Sequence, residues 1–207
     1  MIEKINNNGH TYVDLGLPSR TLWSTCNVGA DKPSDPGLYF QWGDTKGYTK
    51  EQVGIEKKFE YDFSDYKWYL SGEGSEIKFT KYSSNGDILE LEDDAAHVHM
   101  GGSWHMPTPA QFKELIDNTI STWATQDGVN GRLFTSKTDT SKSMFIPAVG
   151  GVWDGSVHSS GNSGGVWSSM LDAGSASGGQ LLVFYSEYAY LDNSDRCDGL
   201  PVRGVIG

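Results

Sequence analysis

Short alternations of apolar and polar residues, broken every few positions by Gly, Pro, Asp or Asn, run along most of the chain and predict strands rather than helices. Thr21–Cys26 (TLWSTC) and Leu38–Trp42 (LYFQW) read as strands, with GADKPSDPG between them as turn punctuation. Residues 43–94 have no period, which predicts a long surface excursion anchored by Tyr66, Trp68 and Tyr69. A clear helical period occurs in TPAQFKELIDN, where Phe112, Leu115 and Ile116 share one face. Thr108 is placed to cap this helix, Pro109 suits its first position and Gln111 completes a capping box, so the helix is expected to run to about Asn118. Asp93-Asp94-Ala95-Ala96 predicts a shorter helical turn with its acids at the favourable end of the dipole. Further on, Thr122–Gln126 and Arg132–Ser136 flank DGVNG as a hairpin, and Ser143–Pro147, Val166–Ser169, Leu181–Tyr185 and Leu200–Val205 read as strands. The Gly/Ser-rich stretches GVWDGSVHSSGNSGG and DAGSASGG read as loops.

The length of 207 residues fits one domain spanning 1–207, and 37% hydrophobic residues with 7 Trp, 10 Tyr and 8 Phe exclude a disordered chain. A formal net charge of -11 argues against nucleic acid and anionic membranes as partners, because such a surface repels phosphate. No apolar run reaches transmembrane length, and Met1–Asn8 (MIEKINNN) lacks the core of a signal peptide. The expectation is a soluble chain without membrane insertion, any export signal having been removed or replaced. Cys26 and Cys197 sit near opposite ends, and the sequence leaves open whether they form a bridge or two buried thiols.

Several words in fixed order carry a resemblance: DLGLPS from Asp14, Leu22-Trp23, CNVGA from Cys26, Trp42-Gly43, DDAA from Asp93, WHMPT from Trp104, FIPAVG from Phe145, Trp167-Ser168-Ser169, and Arg196-Cys197 followed by Val202-Arg203. Spread from about Gly9 to Val205, they resemble the major paralogous domain first named in Fibrobacter and abundant in Bacteroidetes. The resemblance implies an α+β, C-type lectin-like fold of the formylglycine-generating-enzyme branch, with short helices packed on a twisted antiparallel sheet and long loops. Within such a frame Trp23, Trp104 and Trp167 are expected as core pillars. Arg203 is expected to pair with a carboxylate, at the Asp93/Asp94 turn or elsewhere.

The candidate chemistry is thin. His97, His99 and His105 lie close in sequence, but the family pattern has Arg rather than His before Met106, and no matching ligand motif accompanies them. The acids Asp87, Glu90, Glu92, Asp93 and Asp94 lack the spacing of an EF-hand and read as a solvated face and helix start. The calcium-and-sugar motifs of C-type lectins are absent, Val152-Trp153-Asp154 being an isolated fragment, and the two cysteines lie too far apart to match the copper pair of formylglycine-generating enzymes. The expectation is therefore no catalytic residue, no metal and no cofactor. Segments 153–163, 170–180 and 185–195 are dominated by Gly, Ser, Asp, Asn, Tyr and His, a composition that resembles a paratope. Trp153, Asp154, His158, Tyr185, Tyr188 and Tyr190 are the contact candidates, with Asp192 and Asn193 as polar partners. These segments also resemble the variable proteins of diversity-generating retroelements, implying adhesion to a receptor protein or glycan from a bacterial cell surface or phage particle. The alternatives are a structural surface or lipoprotein domain without ligand, and a divergent formylglycine-generating-type or metal-dependent enzyme using His97, His99 or a cysteine.

Overall fold

Asn8-Gly9, Asp127-Gly128 and Asp154-Gly155 each put two successive residues at positive φ (52 and 87, 50 and 80, 49 and 70 degrees). Asn and Asp tolerate that region and Gly favours it, so each dipeptide closes a tight hairpin whose twist matches its strands. The computed structural model describes residues 5–207, and Met1–Lys4, part of the segment read for a leader, lie outside the described residues. The first dipeptide joins β1 (Ile5–Asn7) to β2 (His10–Asp14), and β3 (Leu22–Asn27) extends the sheet. The excursion 43–94 contains a small hairpin, β4 (Tyr69–Ser71) with β5 (Lys78–Phe79). Two α-helices follow, α1 (Ala95–Met100) and α2 (Pro109–Asn118). Next come β6 (Thr119–Gln126), β7 (Val129–Ser136) and β8 (Ser143–Pro147), an antiparallel meander. The hairpin β9 (Gly151–Trp153) with β10 (Ser156–His158) precedes a second meander of β11 (Gly164–Leu171), β12 (Gly178–Phe184) and β13 (Ala189–Asp195). Finally β14 (Arg203–Ile206) returns to pair with β3, Val205 opposite Trp23, and ties the two ends of the chain into one sheet.

This architecture overturns the expected α+β, C-type lectin-like fold. Strands hold 40% of the chain and helices 11%, a small mainly-β fold with two helices. A stretch read as a loop forms strands instead, 151–158 closing on Asp154-Gly155, and β13 adds a strand in a segment rich in Asp, Asn and Ser. The β6–β7 connection is likewise two residues rather than five, with Asn130 and Gly131 already paired to Thr125 and Ala124. Conversely, Leu38–Trp42 is not a strand of any ladder. Its amides turn to separate partners, Tyr39 to Tyr48, Phe40 to Leu200 and Trp42 to Arg196, so only isolated bridges form.

The helix expectations hold. The Thr108 hydroxyl accepts from the Gln111 amide, the Gln111 side chain accepts from the Thr108 amide, and Pro109 opens α2. Asp94 caps α1 by accepting from His97 N at 2.9 Å. Trp23, Trp104 and Trp167 are all fully buried, as is Trp42, whose indole N–H donates to Ser168 O at 2.9 Å. Tyr66 and Trp68 anchor the excursion in the core, and Tyr69 packs half-buried against it. Tyr66 and Trp68, with Trp42 and Phe79, surround Arg196, which donates to Tyr66 Oη and to the carbonyls of Tyr82, Ala176 and Lys81.

Arg203 departs from expectation. It is fully buried and donates to Ser24 O at 3.0 Å and Phe145 O at 3.1 Å, so backbone carbonyls hold it in place of a carboxylate. Asp93 is taken by Lys67, Lys81 and Tyr82, and Asp94 by the α1 cap and Met106 N. Both cysteines are free thiols, Cys197 buried and Cys26 half-buried. Among the described residues no helix is long and apolar enough to cross a membrane.

Candidate functional site

In β13 the strand period of two separates core from solvent. Ala189 and Leu191 pack on the core while Tyr190 and Asp192 face out. Val183 stands opposite Tyr190 and Leu181 opposite Asp192, so the open face of this sheet has an apolar floor beneath an outward tyrosine and carboxylate. The β12–β13 connection, Tyr185 to Tyr188, is closed by Tyr185 N donating to Tyr188 O at 2.9 Å. This brings three exposed rings together, with Tyr185 5.5 Å from Tyr188 and 6.5 Å from Tyr190, and Tyr188 5.6 Å from Tyr190. The Tyr190 hydroxyl is pushed up to about 12, first by burial and then by Tyr185 and the Asp192 charge.

On the other side stands the β9–β10 hairpin, where Trp153 and His158 lie diagonally across the register. Their rings stack at 4.3 Å and 6 degrees, and His158 Nε2 contacts Trp153 O at 3.1 Å, so the indole is held flat. Between hairpin and tyrosines runs a cleft of about 220 Å³, floored by Gly164, Gly165, Leu181 and Val183 and walled by Trp153, Tyr185, Asp192 and Asn193. Ser159, Ser163 and Ser194 add hydroxyls to its rim.

Four of the candidates thus line the cleft, His158 supports it from behind Trp153, and Tyr188 and Tyr190 extend it as a patch. Asp154 stands apart. The hairpin tip that carries it docks on the excursion through Asp154 N to Phe59 O and Gly155 N to Lys58 O, and its charge acts on exposed Tyr61 instead. No family model, no curated protein and no solved structure matches this chain. The reading of the site therefore rests on its own geometry.

Sequence reasoning missed Arg132. From β7 this nearly buried guanidinium donates to Tyr185 O at 3.1 Å and Ser186 O at 2.9 Å, and to Ser121 Oγ and O at 2.7 and 3.1 Å. The signal available was an arginine two residues from Phe134, on the same face of the strand. The three neighbouring histidines do not converge: His97 contacts Trp104 O, His99 contacts Thr45 O, and His105 contacts Met106 O and Gly207 O. Glu90, Glu92 and Asp93 do cluster, around the Lys81 ammonium at 2.6, 3.2 and 2.6 Å, so a side-chain cation already stands among them.

Proposed function

We propose that the chain is a non-catalytic binding module, capturing a receptor protein or glycan at a bacterial or phage surface on the rim of Trp153, Tyr185, Tyr188, Tyr190, Asp192 and Asn193. The observation that carries this reading is the mutual contact of three exposed tyrosines beside an open cleft. Tyrosine gives large contact area at small entropic cost, and serines, glycines and asparagine around it adapt their hydrogen bonds. A second element of the proposal is that these positions are exchangeable, as in the retroelement variable proteins that the segment resembles, on a frame related to the Fibrobacter and Bacteroidetes major paralogous domains. It is supported by the contrast between the buried words, Trp23, Trp104, Trp167 and Arg203, and the outward, exposed side chains of β13, Tyr190 and Asp192.

The test presents the purified chain to arrayed glycans and immobilised bacterial surface proteins. Specific retention should vanish in the Tyr188→Ala/Tyr190→Ala double variant at an unchanged melting temperature. Equal retention by both proteins sinks the reading, and unfolding of the variant assigns the tyrosines to structure. A template repeat near the gene, differing only at adenines in codons of 153–163, 170–180 or 185–195, is the expected mark of diversification.

A further inference from the structure

The rim has a chemistry that narrows its ligand. Tyr185 and Tyr190 are nearly parallel, at 13 degrees, while Tyr188 is tilted 54 and 50 degrees to them, so the three rings wall a corner rather than form a column. With centroids 5.5 to 6.5 Å apart, a single position can lie within roughly 6 Å of all three centroids, the range over which an aromatic ring attracts a cation. Asp192, one strand period beyond Tyr190, adds a full negative charge, and Glu187 lies in the tyrosine turn itself.

The surroundings point the same way. After Lys142 the chain's cations are Arg196 and Arg203, both fully buried, whereas Glu187, Asp192 and Asp195, in and beside β13, are exposed. Arg132 reaches the turn from below; its donors are committed to carbonyl and hydroxyl oxygens and its charge faces Glu187, which leaves Asp192 as the carboxylate of the rim itself. The core of the same molecule shows an aromatic box filled from within: the Arg196 guanidinium lies 4.0 Å from the Phe79 centroid, 4.9 Å from Tyr66, 5.3 Å from Trp42 and 5.7 Å from Trp68. Among the described residues no lysine or arginine lies over Tyr185, Tyr188 or Tyr190.

We propose that the tyrosine corner receives a lysine or arginine side chain projecting from a partner protein, with Asp192 as its counter-charge. This rests on the binding reading above and adds the ligand chemistry. Sugar hydroxyls can also donate to these carboxylates, but only a cation gains from the net negative charge as well, and an acidic sugar is repelled by it, so the charge distribution favours a basic protein surface.

The experiment is a nuclear magnetic resonance titration of the full chain with N-acetyl-lysine amide and N-acetyl-arginine amide. Their neutral counterparts, the ε-acetylated lysine and citrulline amides, are titrated alongside, with glucosamine and N-acetylglucosamine as sugar probes. The cationic amides should shift the resonances of Tyr185, Tyr188, Tyr190 and Asp192, with the neutral ones roughly tenfold weaker or more. Asp192→Asn, an exposed change, should weaken the cationic amides about threefold or more and leave the melting temperature unchanged. Equal binding of charged and neutral amides overturns the cation selectivity while the rim remains a binding site. Preference for either sugar overturns the protein source. If no probe moves the rim although the arrayed surface still retains the chain, the ligand proposal fails alone; if retention is also absent, both fail.

Discussion

Arg132 and Tyr185 meet across two sheets: the guanidinium of a residue in β7 donates to the carbonyl that begins the β12–β13 turn, 3.1 Å away. The same nitrogen reaches Ser186 O, while Nε and the other nitrogen hold Ser121. Arg132 thus fixes the backbone from which Tyr185 and Tyr188 project, and joins the tyrosine rim to the β6–β7–β8 meander. A long, floppy cation would not do this, because the planar fork supplies several donors in fixed directions.

Replacing Arg132 by Leu should leave those carbonyls without donors and destabilise the chain by about 2–4 kcal/mol. Arg132→Lys should cost less and still loosen the turn. The distinguishing measurement is amide hydrogen exchange. Protection of Tyr185 N, which bonds to Tyr188 O, should fall in both variants. Unchanged exchange there would show that the turn holds itself.

The cleft depends on one glycine. Gly150 has φ of 70 degrees, and a Cβ built on it would stand 1.8 Å from His158 O, in the hairpin that carries the stacked Trp153–His158 pair. Gly150→Ala should therefore push β10 away from the β11 start and cost roughly 3 kcal/mol or more. Gly128 is the control, since its φ of 80 degrees meets nothing within 4 Å, so Gly128→Ala carries only the conformational cost of about 1 kcal/mol. Urea midpoints of the two variants should separate clearly; similar midpoints would refute the close-approach argument.

What could be read from the sequence was whatever its own neighbours decide. The α2 cap needs only Thr108, Pro109 and Gln111, and the short apolar run Met144-Phe145-Ile146, ended by Pro147, is enough to declare a strand. The period of two places Tyr190 and Asp192 outward once β13 is known, but Tyr188 sits in the turn that Tyr185 N and Tyr188 O close, which no period shows. What failed was set by distant partners. Leu38–Trp42 has strand composition, but its hydrogen bonds are divided between Tyr48, Leu200 and Arg196. Residues 151–158 look like a loop until Asp154-Gly155 closes them and Gly199 pairs with Val152. Arg203 shows no local sign that carbonyls of Ser24 and Phe145 would replace a carboxylate. The fold class erred for the same reason: resemblance in scattered words fixes core positions, not how many polar, glycine-rich segments pair into sheets.

The capping box offers a local check. Thr108→Ala removes the acceptor for Gln111 N and should lower stability by about 1 kcal/mol, with Thr108→Asn recovering most of it. Chemical denaturation read by tryptophan fluorescence suffices, and a neutral Thr108→Ala would mean that packing of Phe112 and Leu115 alone holds α2.

The last prediction concerns pH. Asp198 is buried two residues after Arg196; Ser194 Oγ donates to its Oδ2, and Oδ1 has no partner among the described residues. Burial pushes its carboxyl from 3.8 up to about 6, opposed by the Ser194 bond and aided by the charge of Asp195. The folded chain therefore binds this proton more tightly than the unfolded chain does. The stability that protonation contributes is fully present below 3.8 and is lost as pH rises through about 6, the reverse of the usual paired carboxylate. Asp198→Asn keeps an acceptor for Ser194 and removes the charge. Relative to the unmodified chain it should gain roughly 2 kcal/mol between pH 4.5 and 7.5, with the change centred between 4 and 6. Urea unfolding of both proteins across that range measures the difference, and parallel stability curves would show that Asp198 is solvated in the folded chain after all.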